Sequence, residues 1–236
     1  MIFEHGDRIV FAGDSVTDMG SACPVGDQAG ENLGRSYVRI IDNLLAACYP
    51  ERIIAVMNAG ISGNTSRDLL ARWDRDVLGH APTWISICIG INDVWRQFDM
   101  PAYPECAVTP EDYAANIEKM VISAKEHSKG VFLMTPYIME PCRGDWMRMR
   151  MDEYSDICRE LAKKHSVTLV DVQKAFDSFF THRHSASVAW DRIHPNQVGA
   201  TVIAREFLSH CGFDYTHSTG YCFEHPPRID FPWRVF

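Results

Sequence analysis

The sequence lacks the runs of charge and of apolar residues that mark several classes of protein. It has no run of Lys or Arg, and 23 basic against 31 acidic residues give a net charge of −8, which argues against nucleic acid as a partner. No stretch approaches the roughly 18 apolar residues of a membrane span. Segment 1–8 carries acidic residues and no apolar core of signal-peptide length, so we expect a cytoplasmic protein without a membrane partner.

Cysteine is present, but it lacks the spacing of a metal site or of a redox motif. None of the eight cysteines forms a Cys-x-x-Cys pair, and a cytoplasmic location predicts that they remain thiols. Cys88 lies within an apolar run and is expected to be a small core residue. No His pair has the helical spacing of metal ligands with a third ligand nearby, so we expect no metal and no cofactor.

The composition is otherwise ordinary for a globular protein, with 46% apolar and 23% charged residues in a chain of 236. Five short apolar runs alternate with segments of helical period, which predicts parallel strands joined by right-handed crossovers. The expected fold class is α/β, a three-layer α/β/α sandwich around a five-stranded parallel sheet. The Pro-rich stretch 101–110 is expected to be a long loop near the site. The predicted strands are 9–12, 53–57, 84–89, 131–134 and 167–171, and the predicted helices are about 36–48, 66–78, 113–124, 147–161, 172–180 and 196–210.

No internal repeat, low-complexity segment or linker divides the chain, so residues 1–211 are expected to form a single domain. The tail 212–236 differs from the rest, because it carries seven aromatic residues among Pro and Gly without a period. We expect the tail to pack on the domain or on a neighbouring subunit, which favours a homo-oligomer.

Polar motifs follow the first three predicted strands at their carboxyl ends, where open α/β sheets bind their ligands. The first strand ends at 13–15 (Gly-Asp-Ser), which places the Ser15 hydroxyl at the crevice, although such a tripeptide is also an ordinary capping turn. The second strand leads into the Gly-rich turn 58–65. The third leads into 90–93 (Gly-Ile-Asn-Asp), where the Asn92 amide either donates to an oxyanion or caps a turn.

A serine hydroxyl is a weak nucleophile unless a base, a group that orients the base, and donors for the oxyanion accompany it. Asp191 and His194 lie three residues apart in a loop before the last predicted helix. Their carboxylate and imidazole can pair, which would fix the tautomer of the imidazole and stabilise its charged form. The other nine histidines are expected to be structural or solvated.

Taken together and in this order, the motifs resemble those of the SGNH (GDSL-type) hydrolases. Within that family, three longer strings resemble a branch of intracellular acetylxylan esterases, which are carbohydrate acetylesterases of xylan-using bacteria. The resemblance implies a flavodoxin-like fold and ester hydrolysis through an acyl-serine. The four family blocks are 13–15, 60–65, 90–93 and 191–194, and the longer strings are 60–65, 67–73 and 89–97.

The same resemblance implies a role for each motif residue. Ser15 is the nucleophile, His194 is the general base and then the general acid, and Asp191 orients the imidazole. The oxyanion hole consists of the backbone N–H groups of Ser15 and Gly63 and the side-chain amide of Asn92.

Residues beside the third and fourth blocks are candidates for substrate binding. Trp95 and Arg96 follow the third block directly, and Trp190 precedes the fourth. Aromatic faces beside a guanidinium suit a sugar ring, which stacks on one face and forms hydrogen bonds at its rim. Packing or a subunit interface is the alternative role for both tryptophans. Asp14 completes the set of expected substrate-binding residues.

Three hypotheses of function follow from these residues. The first is an acetylesterase acting on a small acetylated carbohydrate, most directly on xylo-oligosaccharides, because no long apolar lid is present that would hold a fatty acyl chain. The second is a short-chain carboxylesterase, thioesterase or lysophospholipase on the same triad. The third is a non-catalytic module that binds acetylated carbohydrate or protein, and the complete set of Ser, Asn, Asp and His argues against it.

Overall fold

A computed structural model describes residues 1–217 and contains a five-stranded sheet in which every neighbouring pair of strands is parallel. The strand order is β2-β1-β3-β4-β5, which is the flavodoxin-like order with its switch point between β1 and β3. The predicted fold class is therefore confirmed. The strands are β1 Arg8–Gly13, β2 Ala55–Gly60, β3 Trp84–Cys88, β4 Gly130–Met134 and β5 Thr168–Val170.

Helices form the two outer layers of the sandwich. Helices α2, α8 and α9 pack together, and so do α3, α5, α6 and α7. No helix within residues 1–217 is long and apolar enough to span a membrane. The helices are α1 Ser15–Asp18, α2 Tyr37–Cys48, α3 Ser66–Ala71, α4 Trp73–Asp76, α5 Ile91–Asp99, α6 Pro110–His127, α7 Trp146–His165, α8 Val172–Phe180 and α9 Gln197–Ser209.

Strands β1 to β4 are largely buried because helices cover both faces, which is why they appear in the sequence as continuous apolar runs. The edge strand β5 buries only Val170 fully. Between the sheet and α9, Phe207 packs against Phe11 and Phe132 with ring centroids 5.1 Å and 4.6 Å apart. Phe3, near the N-terminus, packs against the same cluster and is fully buried. This aromatic cluster packs α9 and the N-terminal segment against the sheet.

Most predicted elements match the structure to within a few residues at their ends, and two differ in ways that bear on the site. β2 starts at Ala55 rather than at residue 53, because it pairs with Arg8, the first residue of β1, and it runs on to Gly60. The helix predicted over 66–78 is interrupted at Arg72, whose backbone leaves the helical region with φ −109° and ψ 7°. Its side chain turns inward to the sheet instead.

The turn predicted at 90–93 is replaced by the start of α5, which begins directly after Gly90. That glycine has φ +130°, and a Cβ there would lie 2.8 Å from the Tyr113 hydroxyl, so a side chain would be strained and crowded. The apolar residues of this helix recur at helical spacing, at positions 91, 94, 95 and 98, but its start coincides with the polar motif 90–93, which favours a turn when read alone. The loop predicted over 101–110 is largely confirmed, since no α-helix or strand lies between α5 and α6 in the described chain. The Pro-rich stretch contains a 3₁₀ turn at Pro104–Cys106, and Thr109 caps the start of α6.

The described part of the tail contacts the domain. The Phe213 ring lies edge-on to Tyr49 at 5.2 Å, and the Asp214 N–H donates to the Tyr49 hydroxyl at 2.8 Å. The remainder of the predicted aromatic tail, from residue 218 to 236, lies outside the described residues, so its packing stays a prediction.

Candidate active site

The motifs from the first three strand ends lie side by side at the carboxyl edge of the sheet. Gly13, the last residue of β1, is in register with Gly60 of β2 and with Cys88 of β3. The segments that follow these three residues therefore leave three adjacent strands at the same level. This edge, at the switch point of the sheet, is where open α/β folds bind ligands.

Ser15 stands at the end of β1 because the chain turns there directly into α1. The Asp14 carboxylate caps this short helix by accepting the Val16 N–H at 3.0 Å. The turn needs glycine at position 13, since a Cβ would lie 2.2 Å from the Thr17 hydroxyl oxygen and 2.6 Å from the Cys88 carbonyl oxygen. The strand and cap together present the Ser15 hydroxyl at the sheet edge.

The structure brings Ser15, His194 and Asp191 into one hydrogen-bonded series. Ser15 Oγ lies 2.8 Å from His194 Nε2, and His194 Nδ1 lies 2.6 Å from Asp191 Oδ2. The second carboxylate oxygen of Asp191 accepts the N–H groups of Ile193 and His194 at 2.9 Å and 2.8 Å. With Nδ1–H donating to the carboxylate, Nε2 is free to accept the serine proton, which is the arrangement of a nucleophile with its base.

Asp191 is held in its charged form by these hydrogen bonds. Partial burial alone would raise the pKa of its carboxyl, but the bonds from the His194 side chain and from the two backbone N–H groups outweigh it. The pKa of Asp191 is lowered as a result, and a charged carboxylate stabilises the imidazolium that forms when His194 takes a proton.

Arg192, which sequence reasoning missed, fixes the loop between these two residues. It adopts φ +66°, a left-handed conformation that is uncommon for a residue with a side chain. Its guanidinium pairs with Glu140 at 2.9 Å and with Asp145 at 3.1 Å, and its carbonyl accepts the Met139 N–H at 2.8 Å. These anchors hold the loop in the shape that pairs the carboxylate with the imidazole.

Three further donors are available at the same edge of the sheet. The backbone N–H groups of Ser15 and Gly63 have no acceptor among residues 1–217. Gly63 has φ +83° in the turn closed by the Asn64 N–H and the Ile61 carbonyl at 3.2 Å. The Asn92 amide donates one hydrogen to the Asn64 carbonyl at 2.9 Å, which leaves its second hydrogen for a ligand.

A buried carboxylate beside Asn92 joins two helices under the site. Asp93 accepts the Ser66 N–H at 2.9 Å and the Ser66 hydroxyl at 2.5 Å, so the start of α5 is tied to the start of α3. Burial raises the pKa of Asp93 to about 6, even though the bonds from Ser66 oppose the shift. From sequence this residue was visible only as the last member of the block 90–93.

Asp14 does not lie where a substrate could touch it, which corrects the expectation from sequence. Only 1% of the residue is exposed, because its carboxyl points beneath Ser15 to cap α1. Its second oxygen, Oδ2, is buried and has no hydrogen-bond partner within the described chain. Burial, with a smaller contribution from the charge of Asp93, raises the pKa of Asp14 to about 7.

The other three predicted substrate residues occupy different surroundings. The half-buried Trp95 ring lies edge-on to the His194 ring at 5.9 Å. The Arg96 guanidinium lies 5.2 Å from the Trp95 ring centroid, pairs with an aspartate one turn ahead and donates to Asn92 Oδ1 at 3.2 Å. Trp190 is 99% exposed, so it does not pack on the described domain.

Among residues 1–217, no group of three or more His, Cys, Asp or Glu could hold a metal.

Comparison with known proteins identifies the family. Residues 11–202 match the family model of the GDSL-like lipase/acylhydrolases. The chain belongs to the GDSL-like lipase/acylhydrolase family. The resemblance predicted from the four blocks is thereby confirmed, and with it the class of enzyme, a hydrolase of carboxylic esters.

Several relatives of this GDSL-family hydrolase are similar over almost their full length. An acetylxylan esterase of Geobacillus stearothermophilus is 44% identical over 213 residues, covering 90% of this chain and 97% of that protein. The crystal structure of that organism's acetylxylan esterase Axe2 matches with a TM-score of 0.90 at 43% identity, covering 93% of this chain and all of Axe2. LAE5, an α/β hydrolase from the Lake Arreo metagenome, matches with a TM-score of 0.87 at 46% identity, covering 90% and 98% of the two chains. The S15A, D191A and H194A variants of Axe2 are described as catalytic mutants.

Proposed function

We propose that this GDSL-family hydrolase removes acetyl groups from xylo-oligosaccharides or similar acetylated sugars. The observation that carries the proposal is the series Ser15–His194–Asp191, joined by contacts of 2.8 Å and 2.6 Å, in a chain 44% identical to an acetylxylan esterase. The catalytic mutants of Axe2 at positions 15, 191 and 194 support the same three roles here.

In the first half of the proposed reaction, Ser15 Oγ attacks the acetyl carbonyl carbon while His194 Nε2 takes the hydroxyl proton. Asp191 stabilises the imidazolium. The carbonyl oxygen becomes an oxyanion, which accepts hydrogen bonds from the Ser15 and Gly63 N–H groups and from the Asn92 amide. The C–O bond to the sugar then breaks, and the imidazolium returns its proton to the leaving sugar oxygen.

In the second half, water attacks the acetyl-serine and His194 again acts as the base. The same three donors stabilise the second oxyanion. Collapse of this intermediate releases acetate, and the imidazolium returns the proton to Ser15 Oγ. No step consumes a cofactor.

The exposure of the site supports a polar substrate of the size of a sugar. The side chains of His194 and Asp191 are 33% and 41% exposed, so a hydrated ring can approach them from solvent. The edge of Trp95 beside His194 offers an apolar surface at the same place. We therefore propose a short acyl group, acetate, carried on a carbohydrate.

The test is acetate release from acetylated xylo-oligosaccharides, with acetylated cello-oligosaccharides and nitrophenyl acetate and octanoate in parallel. We expect the xylose series to be fastest and acetyl esters to exceed octanoyl esters. Turnover of simple esters alone would instead identify a short-chain carboxylesterase, and a preference for octanoate or for acyl-thioesters would identify a lipase-like enzyme or a thioesterase. An organophosphonate that fails to label Ser15 would favour the non-catalytic binding module.

We further propose that the protein is a cytoplasmic homo-oligomer. The seven cysteines within residues 1–217 are all unpaired thiols, as is usual in a reducing compartment. Trp146 and Trp190 are exposed, and large aromatic side chains are enriched at interfaces. Light scattering on the wild type and on Trp190→Ala tests the assembly, and fractionation of the native cells tests the location.

A further inference from the structure

A buried arginine lies beneath the two strand ends that carry the oxyanion donors. Arg72 interrupts the helix between α3 and α4, and its side chain is only 7% exposed. Its Nη2 donates to the Gly13 carbonyl at 3.0 Å and to the Ala59 carbonyl at 2.9 Å. One guanidinium nitrogen thus joins the end of β1, two residues before Ser15, to the end of β2.

The same guanidinium also holds the turn that carries Gly63. Arg72 Nε donates to Asn64 Oδ1 at 2.7 Å. Asn64 in turn accepts the Asn92 amide on its backbone carbonyl at 2.9 Å. Arg72 is therefore connected, directly or through one residue, to the segments that carry all three donors.

We propose that Arg72 is a positioning residue of this hydrolase, which sets the relative placement of the three oxyanion donors. The inference rests on the proposed roles of Ser15, Gly63 and Asn92. The donors lie on three separate segments, and an oxyanion hole works only when they are placed before the reaction starts. A planar guanidinium presents several N–H groups in fixed directions, which an ammonium group on a flexible stem does not.

An ion pair with a carboxylate does not account for the position of the Arg72 side chain, because its shorter hydrogen bonds go to other groups. Its carboxylate partner, Asp76, lies 3.5 Å from Nη1 and is contacted more closely by the exposed Arg75, at 2.6 Å and 2.9 Å. Asp76 therefore keeps a cation without Arg72. The backbone carbonyls of the two strand ends and the Asn64 side chain receive the shorter bonds from Arg72, so its geometry is directed at the site.

The test uses Arg72→Lys and Asn64→Ala, with Arg75→Ala as the matched control and nitrophenyl acetate as the substrate. Misplacing a catalytic group by about 1 Å can lower the reaction rate about 100-fold. We therefore expect kcat to fall about 10- to 100-fold in both variants, with KM little changed. A boronic acid that forms a tetrahedral adduct on Ser15 should bind more weakly by a similar factor. Arg75→Ala should keep wild-type kcat and boronate affinity.

Asn64→Ala keeps the proposal testable if Arg72→Lys does not fold, because it removes one bond of the guanidinium and leaves both strand contacts. In the double variant we expect kcat to fall by about as much as in the more impaired single variant, since both changes remove the same hydrogen bond between Arg72 and Asn64. Folded variants that keep kcat and boronate affinity within about twofold, with only a lower melting temperature, would overturn the positioning role and show a structural one. A wild type that hydrolyses no ester would overturn the proposed function itself, so the two failures are distinguishable.

Discussion

Ser15 Oγ and His194 Nε2 lie 2.8 Å apart although 179 positions separate the two residues in the chain. The sheet edge fixes the serine, and a loop before α9 brings the imidazole to it. The hydroxyl and its base are thus preassembled before a substrate binds, and the quality of this contact depends on the residues that hold each partner.

Replacing Asp191 by Asn should disable the base without disturbing the fold. The Asn side chain cannot favour Nδ1–H and stabilise an imidazolium as a carboxylate does, so we expect kcat to fall by about 10⁴-fold. Acetate release at saturating substrate measures the loss. Asp156→Asn, on the exposed face of α7, is the matched control and should keep wild-type kcat; an Asp191→Asn enzyme with comparable kcat would remove the carboxylate from the mechanism.

Replacing Asn92 by Ala should leave a folded but impaired enzyme. Loss of one oxyanion donor typically lowers kcat by about 10²- to 10³-fold, with a small effect on KM because the donor acts in the transition state. Steady-state kinetics on nitrophenyl acetate measures both constants, and circular dichroism checks the fold. Near-normal kcat in this variant would exclude the Asn92 amide from the oxyanion hole.

Arg96→Ala distinguishes two roles of the guanidinium. The bond from Arg96 to Asn92 Oδ1, at 3.2 Å, fixes which end of the amide points to the site, so we expect kcat to fall, but by less than about 10²-fold, the lower limit for a lost donor. If Arg96 instead contacts the sugar, KM for the oligosaccharide should rise while kcat for nitrophenyl acetate stays unchanged. Comparing the two substrates in this variant decides between them.

Asp14→Asn should change how stability depends on pH. The pKa of Asp14 is raised to about 7 in the folded protein against about 4 when unfolded. Because its pKa is higher in the folded protein, Asp14 is protonated to a greater extent in the folded than in the unfolded state at pH values between about 4 and 7. The contribution of this group to the free energy of unfolding therefore falls as the pH rises through that range. The contribution that is lost amounts to at most about 4 kcal/mol.

Urea unfolding of the wild type and of Asp14→Asn at pH 4.5 and pH 7.5 measures this difference. We expect the variant to gain stability relative to the wild type as the pH rises, because an Asn amide accepts the Val16 N–H without taking a charge. A constant difference between the two proteins across this range would show that the Asp14 carboxyl titrates normally.

The sheet and the order of the motifs could be predicted because both depend on local patterns. Apolar runs of strand length mark buried strands, and Gly-Asp-Ser or Gly-x-Asn-Asp at a strand end marks the crevice. Helix α5 was missed although its apolar residues recur at helical spacing, at positions 91, 94, 95 and 98. Its first residues coincide with the Asn92 motif, which favours a turn, and the prolines that follow indicate a loop.

The residues that support the site were not visible in the sequence because their partners are distant along the chain. Arg72 and Gly13 are 59 positions apart, and Arg192 and Glu140 are 52 apart. Periodicity reports only local neighbours, so a buried arginine in a helical segment appears as one more polar residue. The burial of Asp14 is hidden for the same reason, since it depends on how α1 folds against the sheet.

The most direct test of the mechanism is to trap the acetyl-serine. Wild-type enzyme mixed with nitrophenyl acetate and quenched in acid within the first turnovers should carry one acetyl group, which peptide mass spectrometry should locate on Ser15. Ser15→Ala should carry none and should release no acetate. An active enzyme without an adduct at Ser15, together with a Ser15→Ala variant that retains activity, would contradict the proposed mechanism.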